Sequence, residues 1–401
     1  MLRRAAPLTA TRNAADSVRS EGRTKFPVAD SLRAIAIFSV VLYHLIWQGR
    51  PLFRGHVLTL AYFGVWGVNC FFVLTGFLLA KPFVRSLTSN SPLPNIPRFF
   101  VRRFYRIYPA YFVAIVASSI VAYVYAEVRP TFVDVGSHLM MLQSYSPKTV
   151  FSLNSPLWTM GIDAVFYVCL PVITFVLRPM MTRIPLSGRT SALLTLLLAV
   201  VISSGWYRYH QYASHPKAIF DYAESTVFVR NLLGMATAFA LGIGVEIATT
   251  STTAARRPYY IALALLGTLI AAVQLVLQLE VNRAATPTAF ARMALVDPLA
   301  AASSALILYG LVQLESKSLK RIVESRFTQL ISALSYSIYL VHMPIIAAIK
   351  RAIVTADVPT GNLFVLLGVL SLPIVGLVAF VLYRVVEQPF LRIKKNFGDA
   401  Y

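Results

Sequence analysis

Negative charge is scarce in this 401-residue chain. Only 16 Asp and Glu stand against 37 Lys and Arg, and charged residues of both signs make up 13%. Ordinary soluble domains carry about a quarter of their residues charged, so a soluble enzyme is excluded. Two cysteines, Cys70 and Cys169, exclude a disulfide scaffold and a cysteine-ligated metal centre; both lie in apolar stretches, where a small core residue is the plain reading. The six histidines have no ligand-like spacing, so no metal is expected. Residues 1–27 are rich in Ala, Arg, Ser and Thr and lack the apolar run of a cleavable signal. They read as a flexible cytoplasmic tail. No fixed-period repeat and no soluble domain is visible, and 392–401 is expected to be a short cytoplasmic tail with no second catalytic module.

What is abundant is apolar sequence: 57% of residues, with a mean hydropathy of +0.66. A bilayer-crossing helix needs about 20 mostly apolar residues. Ten such windows stand near 31–48, 58–80, 107–126, 156–177, 190–208, 227–248, 258–279, 294–314, 329–349 and 361–384. The expected fold is therefore all-α, a polytopic membrane bundle of about ten helices whose working unit is 28–391. A formal charge of +21 raises the question of nucleic acid, and the distribution of the charge answers it. With a cytoplasmic amino terminus, about 25 Lys and Arg fall on the inner side and about 11 on the outer. That asymmetry predicts both termini inside, a lipid bilayer as partner and no nucleic acid.

The first window, ADSLRAIAIFSVVLYHLIW (29–47), carries Asp30, Arg33 and His44, which hydrocarbon penalises. At about 100° per residue, the eleven steps from Arg33 to His44 return within about 20° of one face, and Asp30 lies about 60° from Arg33. His44 then sits about 16 Å deeper than Arg33. Two other windows repeat the anomaly. SALSYSIYLVHMPI (332–345) holds Ser335, Tyr336, Ser337, Tyr339 and His342, with His342 about 20 Å in. SPLWTMGIDAVFY (155–167) enters from the opposite side with Asp163. A bundle buries such groups when they pair or line a wet cavity.

These residues also carry a resemblance. The chain resembles the membrane acyltransferase family 3 over nearly its whole length. Arg33 and His44 match the family's Arg-x10-His, with Asp30 in a D-x-L-R-A setting. GVNCFFVLTGFLL (67–79), the basic FFVRRFYRIYPAY (99–111), PLWTMGIDAVFY (156–167), SYSIYLVHMP (335–344) and VVEQP (385–389) resemble its further motifs, in order. Departures are Ser31 for a usual Gly, Asn69 where relatives often have an acid, and Asp163-Ala164 in place of a Glu pair.

The resemblance implies transfer of an acyl group, usually acetyl, from acyl-CoA to a hydroxyl of a carbohydrate, glycolipid or glycosylated small molecule, in a bacterial inner (plasma) membrane. An alcohol is a weak nucleophile, so a base near neutrality is needed, and His44 fits that task with Asp163 or Asp30 orienting its ring. Asp163 is favoured by depth. Ser335, Tyr339 and His342 are candidate donors to the tetrahedral oxyanion. Arg102, Arg103 and Arg106 suit the phosphates of CoA, with Arg33 lining the channel or holding a phosphate. The arginines alone would read as topology determinants. Plainer roles fall to Glu387 (a structural pair or helix terminator, before Pro389), to Trp158, Tyr105, Tyr108 and Tyr111 (packing and interface), and to His56, His138, His210 and His215 (solvated). The outer loops 127–155 and 209–226 are the expected places for acceptor selection. A rival reading is a proton-coupled transporter or flippase, which accounts for buried His and Asp but not for the arginine cluster.

Overall fold

A computed structural model describes residues 27–49, 63–125, 129–251, 257–279, 286–314, 321, 323–356 and 363–395. Most of the expected tail at 1–27, the end of the carboxyl tail and His56 lie outside the described residues. The described chain contains helices and no strand. In chain order these are α1 (Pro27–Gly49), α2 (Phe63–Thr88), α3 (Ile96–Tyr125), α4 (Phe132–Leu139), α5 (Trp158–Thr182), α6 (Leu186–Ser214), α7 (Leu232–Ser251), α8 (Arg257–Leu279), α9 (Pro287–Gln313), α10 (Arg326–Thr355), α11 (Leu363–Leu382) and α12 (Gln388–Lys395). Among the described residues ten helices are long and apolar enough to cross a membrane. In hydrocarbon every backbone polar group must be satisfied within the segment, so apolar windows of this length become helices even where they contain Pro109, Pro171, Pro298 or Pro344.

The expected windows and the helices agree in number, and their ends differ for a physical reason. Hydropathy sees only the hydrocarbon-facing part of a helix. The third window opens at 107, yet α3 begins at Ile96 and carries Arg102, Arg103 and Arg106 on its first three turns. Likewise α11 does not stop before Pro389. It continues through a π-helical turn, Tyr383–Glu387, into α12, with Pro389 directly after that turn.

Burial separates the helices into two classes. In α2, 72% of the most apolar stretch is covered by protein, against 11% in α6 and 22% in α8. The outward-facing apolar residues of α6, α8 and α11 are those a bilayer would cover. Around α2 the core packs α1, α5, α7 and α9, with Ala36, Phe72, Phe77, Trp158, Phe239 and Ala300 buried together. A second cluster joins α1 to α3 and α10 through Ile37, Tyr111, Tyr339 and Leu340. Lipid supplies no hydrophobic drive between helices, so close approach through small residues matters. A Cβ on Gly242 of α7 would meet the Val73 carbonyl at 2.1 Å, and one on Gly67 of α2 the Ala36 carbonyl at 2.7 Å. These contacts draw α7 and α1 against α2.

The segment between α3 and α5 is ordered by hydrogen bonds rather than by apolar mass. Thr131 and Asp134 form a capping box on α4. Tyr111 donates to the His138 carbonyl (2.7 Å), Gln143 to that of Leu157 (2.6 Å) and Ser144 to that of Trp158 (2.6 Å). Asn154 donates to the Leu340 carbonyl (2.9 Å). The start of α5 is thereby held against the middle of α10.

Candidate active site

His44 and His342 meet across α1 and α10. His44 Nδ1 lies 2.8 Å from the Val40 carbonyl and 3.3 Å from His342 Nε2. His342 Nδ1 lies 2.9 Å from the Tyr339 carbonyl and 3.1 Å from that of Ile338. A carbonyl only accepts, and a neutral imidazole holds one N–H. Both rings therefore carry their hydrogen on Nδ1. His342 Nε2 turns its lone pair to the His44 N–H, and His44 Nε2 keeps a lone pair for the cavity that His44 lines. The expected carboxylate partner of His44 is not there. Asp163 makes no hydrogen bond to it, and Asp30 accepts from Arg33 (3.0 Å) and Ser332 (3.1 Å) near the other end of α1. A backbone carbonyl one turn back and a second imidazole orient the ring instead.

Two cavities flank this region. The inner one, about 150 Å³, is lined by Arg33 of α1, Thr75 of α2, Arg103 and Arg106 of α3, Thr159 and Asp163 of α5, and Ser335 and Tyr339 of α10. It unites six expected site residues from four helices. Asp163 Oδ1 is buried there without a hydrogen-bond partner. Arg33 is steered by Asp30, and Arg106 by Glu387 (2.9 Å), whose other oxygen accepts from Ser337 (2.9 Å). Glu387 is thus the structural pair the sequence suggested, and it ends no helix. Arg102 is half-buried and does not line the cavity, whereas Arg103 and Arg106 of the same helix do.

The outer cavity is larger, about 520 Å³, and holds His44, Tyr43, Gln48, Trp158, Arg230 and Asp297. Both expected selection loops contribute to it, with Phe151 and Ser155 from one and Ala218, Phe220 and Tyr222 from the other. Val68 and Tyr339 line both cavities. The Tyr339 hydroxyl donates to the Pro156 carbonyl and lies 2.7 Å from Thr159 Oγ1. The side chain spans the boundary and is tied to the start of α5.

This accounting changes the expected oxyanion donors. Ser335 spends its hydrogen on the Ser332 carbonyl (2.7 Å), Tyr339 on Pro156, and His342 on its own helix. None of the three has a spare N–H or O–H in this arrangement. His138, expected in solvent, is fully buried on the last turn of α4, its Nδ1 2.8 Å from the Asp134 carbonyl, and burial pushes its imidazole below the ordinary range. His215 stacks on Phe228 at 4.1 Å, whereas His210 is exposed. Trp158 packs edge-on to Phe72, and Cys70 is a buried core residue. Among the described residues no cluster of His, Cys, Asp and Glu could hold a metal.

Sequence reading missed a buried ionic cluster. Asp297 of α9 accepts from Arg208 (2.5 Å) and Arg230 (3.1 Å) on Oδ2 and from Asn69 (2.9 Å) on Oδ1. By sequence alone Arg208 and Arg230 are two of the outer-side basic residues and read as topology determinants. The available signal was their position at the ends of apolar windows, opposite an Asp within a third. Asn69, where an acid is frequent in the family resembled, is bonded here to an acid supplied by another helix.

The sequence is similar to known proteins. A family profile described as an acyltransferase domain matches residues 27–384. The peptidoglycan O-acetyltransferase OatA of Listeria monocytogenes is 29% identical over 166 residues, 38% of this chain and 25% of that protein. The acyltransferase MdmB of Streptomyces mycarofaciens is 28% identical over 165 residues, 37% of this chain and 39% of that protein. A putative acetyltransferase of Acidianus two-tailed virus is 30% identical over 149 residues, 37% and 40% of the two chains. The chain spans well under half the length of these relatives. No solved structure matches it. With the family match running from the first turn of α1 to the end of the last span, this multi-pass membrane protein belongs to the acyltransferase 3 family.

Proposed function

We propose that the protein is a membrane O-acyltransferase that moves an acetyl group from acetyl-CoA, entering on the cytoplasmic side of a bacterial plasma membrane, to a hydroxyl of a carbohydrate or glycolipid in the outer cavity. The observation that carries this reading is the meeting of two unlike cavities at Tyr339, one faced by arginines and one by His44. The arginine-rich side is the cytoplasmic one by the excess of Lys and Arg there, and ten crossings return residue 395 to the side of residue 27. Relatives named for acetyl transfer support acetyl as the acyl group.

In this reading Arg33, Arg103 and Arg106 contact the CoA phosphates, with Asp30 and Ser332 holding Arg33 in place and Glu387 holding Arg106. The pantetheine arm runs along α1 past Tyr339. His44 Nε2 removes the proton of the acceptor hydroxyl, and the oxygen attacks the thioester carbonyl. Collapse of the tetrahedral intermediate breaks the C–S bond, and the imidazolium returns its proton to the CoA sulfur. While His44 is charged, the Val40 carbonyl and His342 Nε2 both accept from its Nδ1–H, the service a carboxylate renders in a hydrolase triad. His342 is a positioning residue.

The test is turnover of radiolabelled acetyl-CoA by purified protein in nanodiscs, with label traced into envelope glycans and lipids. Wild type should label an acceptor, and folded His44→Ala should not. Equal turnover by the two proteins would remove His44 from the chemistry, and absence of acyl-CoA binding by both would end the acyl-transfer reading.

A further inference from the structure

The wall of the outer cavity, with the core directly behind it, holds one charge more than its pairs can neutralise: Arg230 and Asp297 line the cavity, and Arg208 lies behind them. Arg208 is fully buried, and donates to the carbonyls of Ala294 (3.0 Å) and Met293 (3.2 Å) as well as to Asp297. Its Nη1 is buried without a hydrogen-bond partner. Arg230 is 3% exposed, reaches the same carboxylate through Nε and lines the cavity that His44 lines. Asp297 Oδ1 is occupied by Asn69. Two guanidinium groups on one carboxylate leave a net positive charge, and such a charge within an apolar bundle is costly without a counter-ion.

The placement of Arg230 is built rather than incidental. It follows a π-helical turn, Ser225–Val229, its backbone N–H donates to the Ser225 carbonyl (2.9 Å), and its guanidinium lies 5.0 Å from the centre of the Tyr222 ring. The carboxylates nearest in sequence are Asp221, which caps the backbone N–H groups of Ala223 and Glu224, and Glu224 itself. Gln48, which also lines the cavity, is held by Lys350 (3.0 Å). A volume of about 520 Å³ is of the size that takes a small-molecule or sugar-sized ligand.

We propose that Arg230 is an anion subsite of the outer cavity, and that the acceptor deprotonated by His44 carries a phosphate or carboxylate group. The identification of the ligand as acceptor rests on the acyl-transfer reading; the anion subsite itself does not. An incoming anion supplies the charge that Asp297 cannot, and fixes the acceptor by a group remote from its reacting hydroxyl. Arg230 thereby sets specificity without touching the reacting atoms.

The experiment is a calorimetric titration of the full chain in nanodiscs of neutral lipid with methyl β-D-glucuronide, α-D-glucose 1-phosphate and methyl β-D-glucoside, on wild type, Arg230→Gln, Arg230→Lys and His44→Ala. Wild type should bind one of the two anionic sugars at least about tenfold more tightly than the neutral one. The stronger of the two identifies carboxylate or phosphate. The preference should vanish in Arg230→Gln and persist in Arg230→Lys and His44→Ala. Arg230→Gln leaves Arg208 and Asp297 as a neutral pair and should keep the wild-type melting temperature; a lowered melting temperature with unchanged selectivity assigns Arg230 to helix tethering alone and overturns the proposal. Equal binding of all three sugars by wild type does the same, and needs no variant to fold. Anion preference in a protein that never turns over acetyl-CoA would leave the subsite standing and the acyl-transfer reading fallen.

Discussion

The inner and outer cavities solve the problem of charge in a membrane in opposite ways. Around the inner one, cations come with partners brought by other elements or by their own helix: Arg33 with Asp30, Arg106 with Glu387. Arg33 and Arg106 are aimed, and their charge is offset at rest. Around the outer one, two arginines share a single carboxylate, and two imidazoles stand with no carboxylate at all. The difference teaches what each side is built to receive. In the proposed reading, an inner site with offset charge admits and releases a polyanion because binding exchanges one set of partners for another. In the proposed reading, an outer site whose imidazoles have no carboxylate beside them keeps a base ready next to a fixed cation.

The largest effect that would sharpen this comparison is expected at His44. His44→Ala should lower acetyl transfer by about 10³-fold with little change in acetyl-CoA affinity, as measured by single-turnover label transfer and equilibrium binding. Arg103→Ala should do the converse, raising the KM for acetyl-CoA about 30-fold while the acceptor KM stays put. If the two variants moved the same parameter, the division of labour between the cavities would be broken. His342 offers a finer probe. His342→Leu removes the acceptor for the His44 N–H and should lower kcat about 30-fold, whereas His342→Gln retains a side-chain acceptor and should recover a good part of it. Equal losses would reduce His342 to a packing residue. The smallest effect is expected at the boundary. Tyr339→Phe deletes the tie to Pro156 and Thr159, and should raise hydrolysis of acetyl-CoA relative to transfer by about threefold as the partition loosens. An unchanged ratio of hydrolysis to transfer would show that the hydroxyl plays no part in separating the two sides.

Much of this molecule was legible in order of residues. Hydropathy marked all ten spans, because a helix in lipid must be apolar along its own length and needs no partner to declare itself. The face shared by Arg33 and His44 followed from helical period, and both line cavities as that face predicts. Glu387 was read as structural, and Arg106 supplied the reason. Illegible were the partners. Nothing in the spacing of Asp163 and His44 shows that they face different cavities, nor that Arg102 turns away while Arg103 turns in. The hydroxyls of Ser335 and Tyr339 looked like free donors because a sequence does not reveal which backbone carbonyl has already taken their hydrogen.

By itself the sequence determined a helical membrane protein with ten apolar spans among the described residues, since hydrophobic length is a property of single segments in a bilayer. Which charges are paired, which imidazole nitrogen faces a cavity and where two cavities meet were decided by tertiary structure alone. Those outcomes depend on distances between helices that are far apart in the chain. Small residues such as Gly67 and Gly242 set those distances, through contacts no single segment contains.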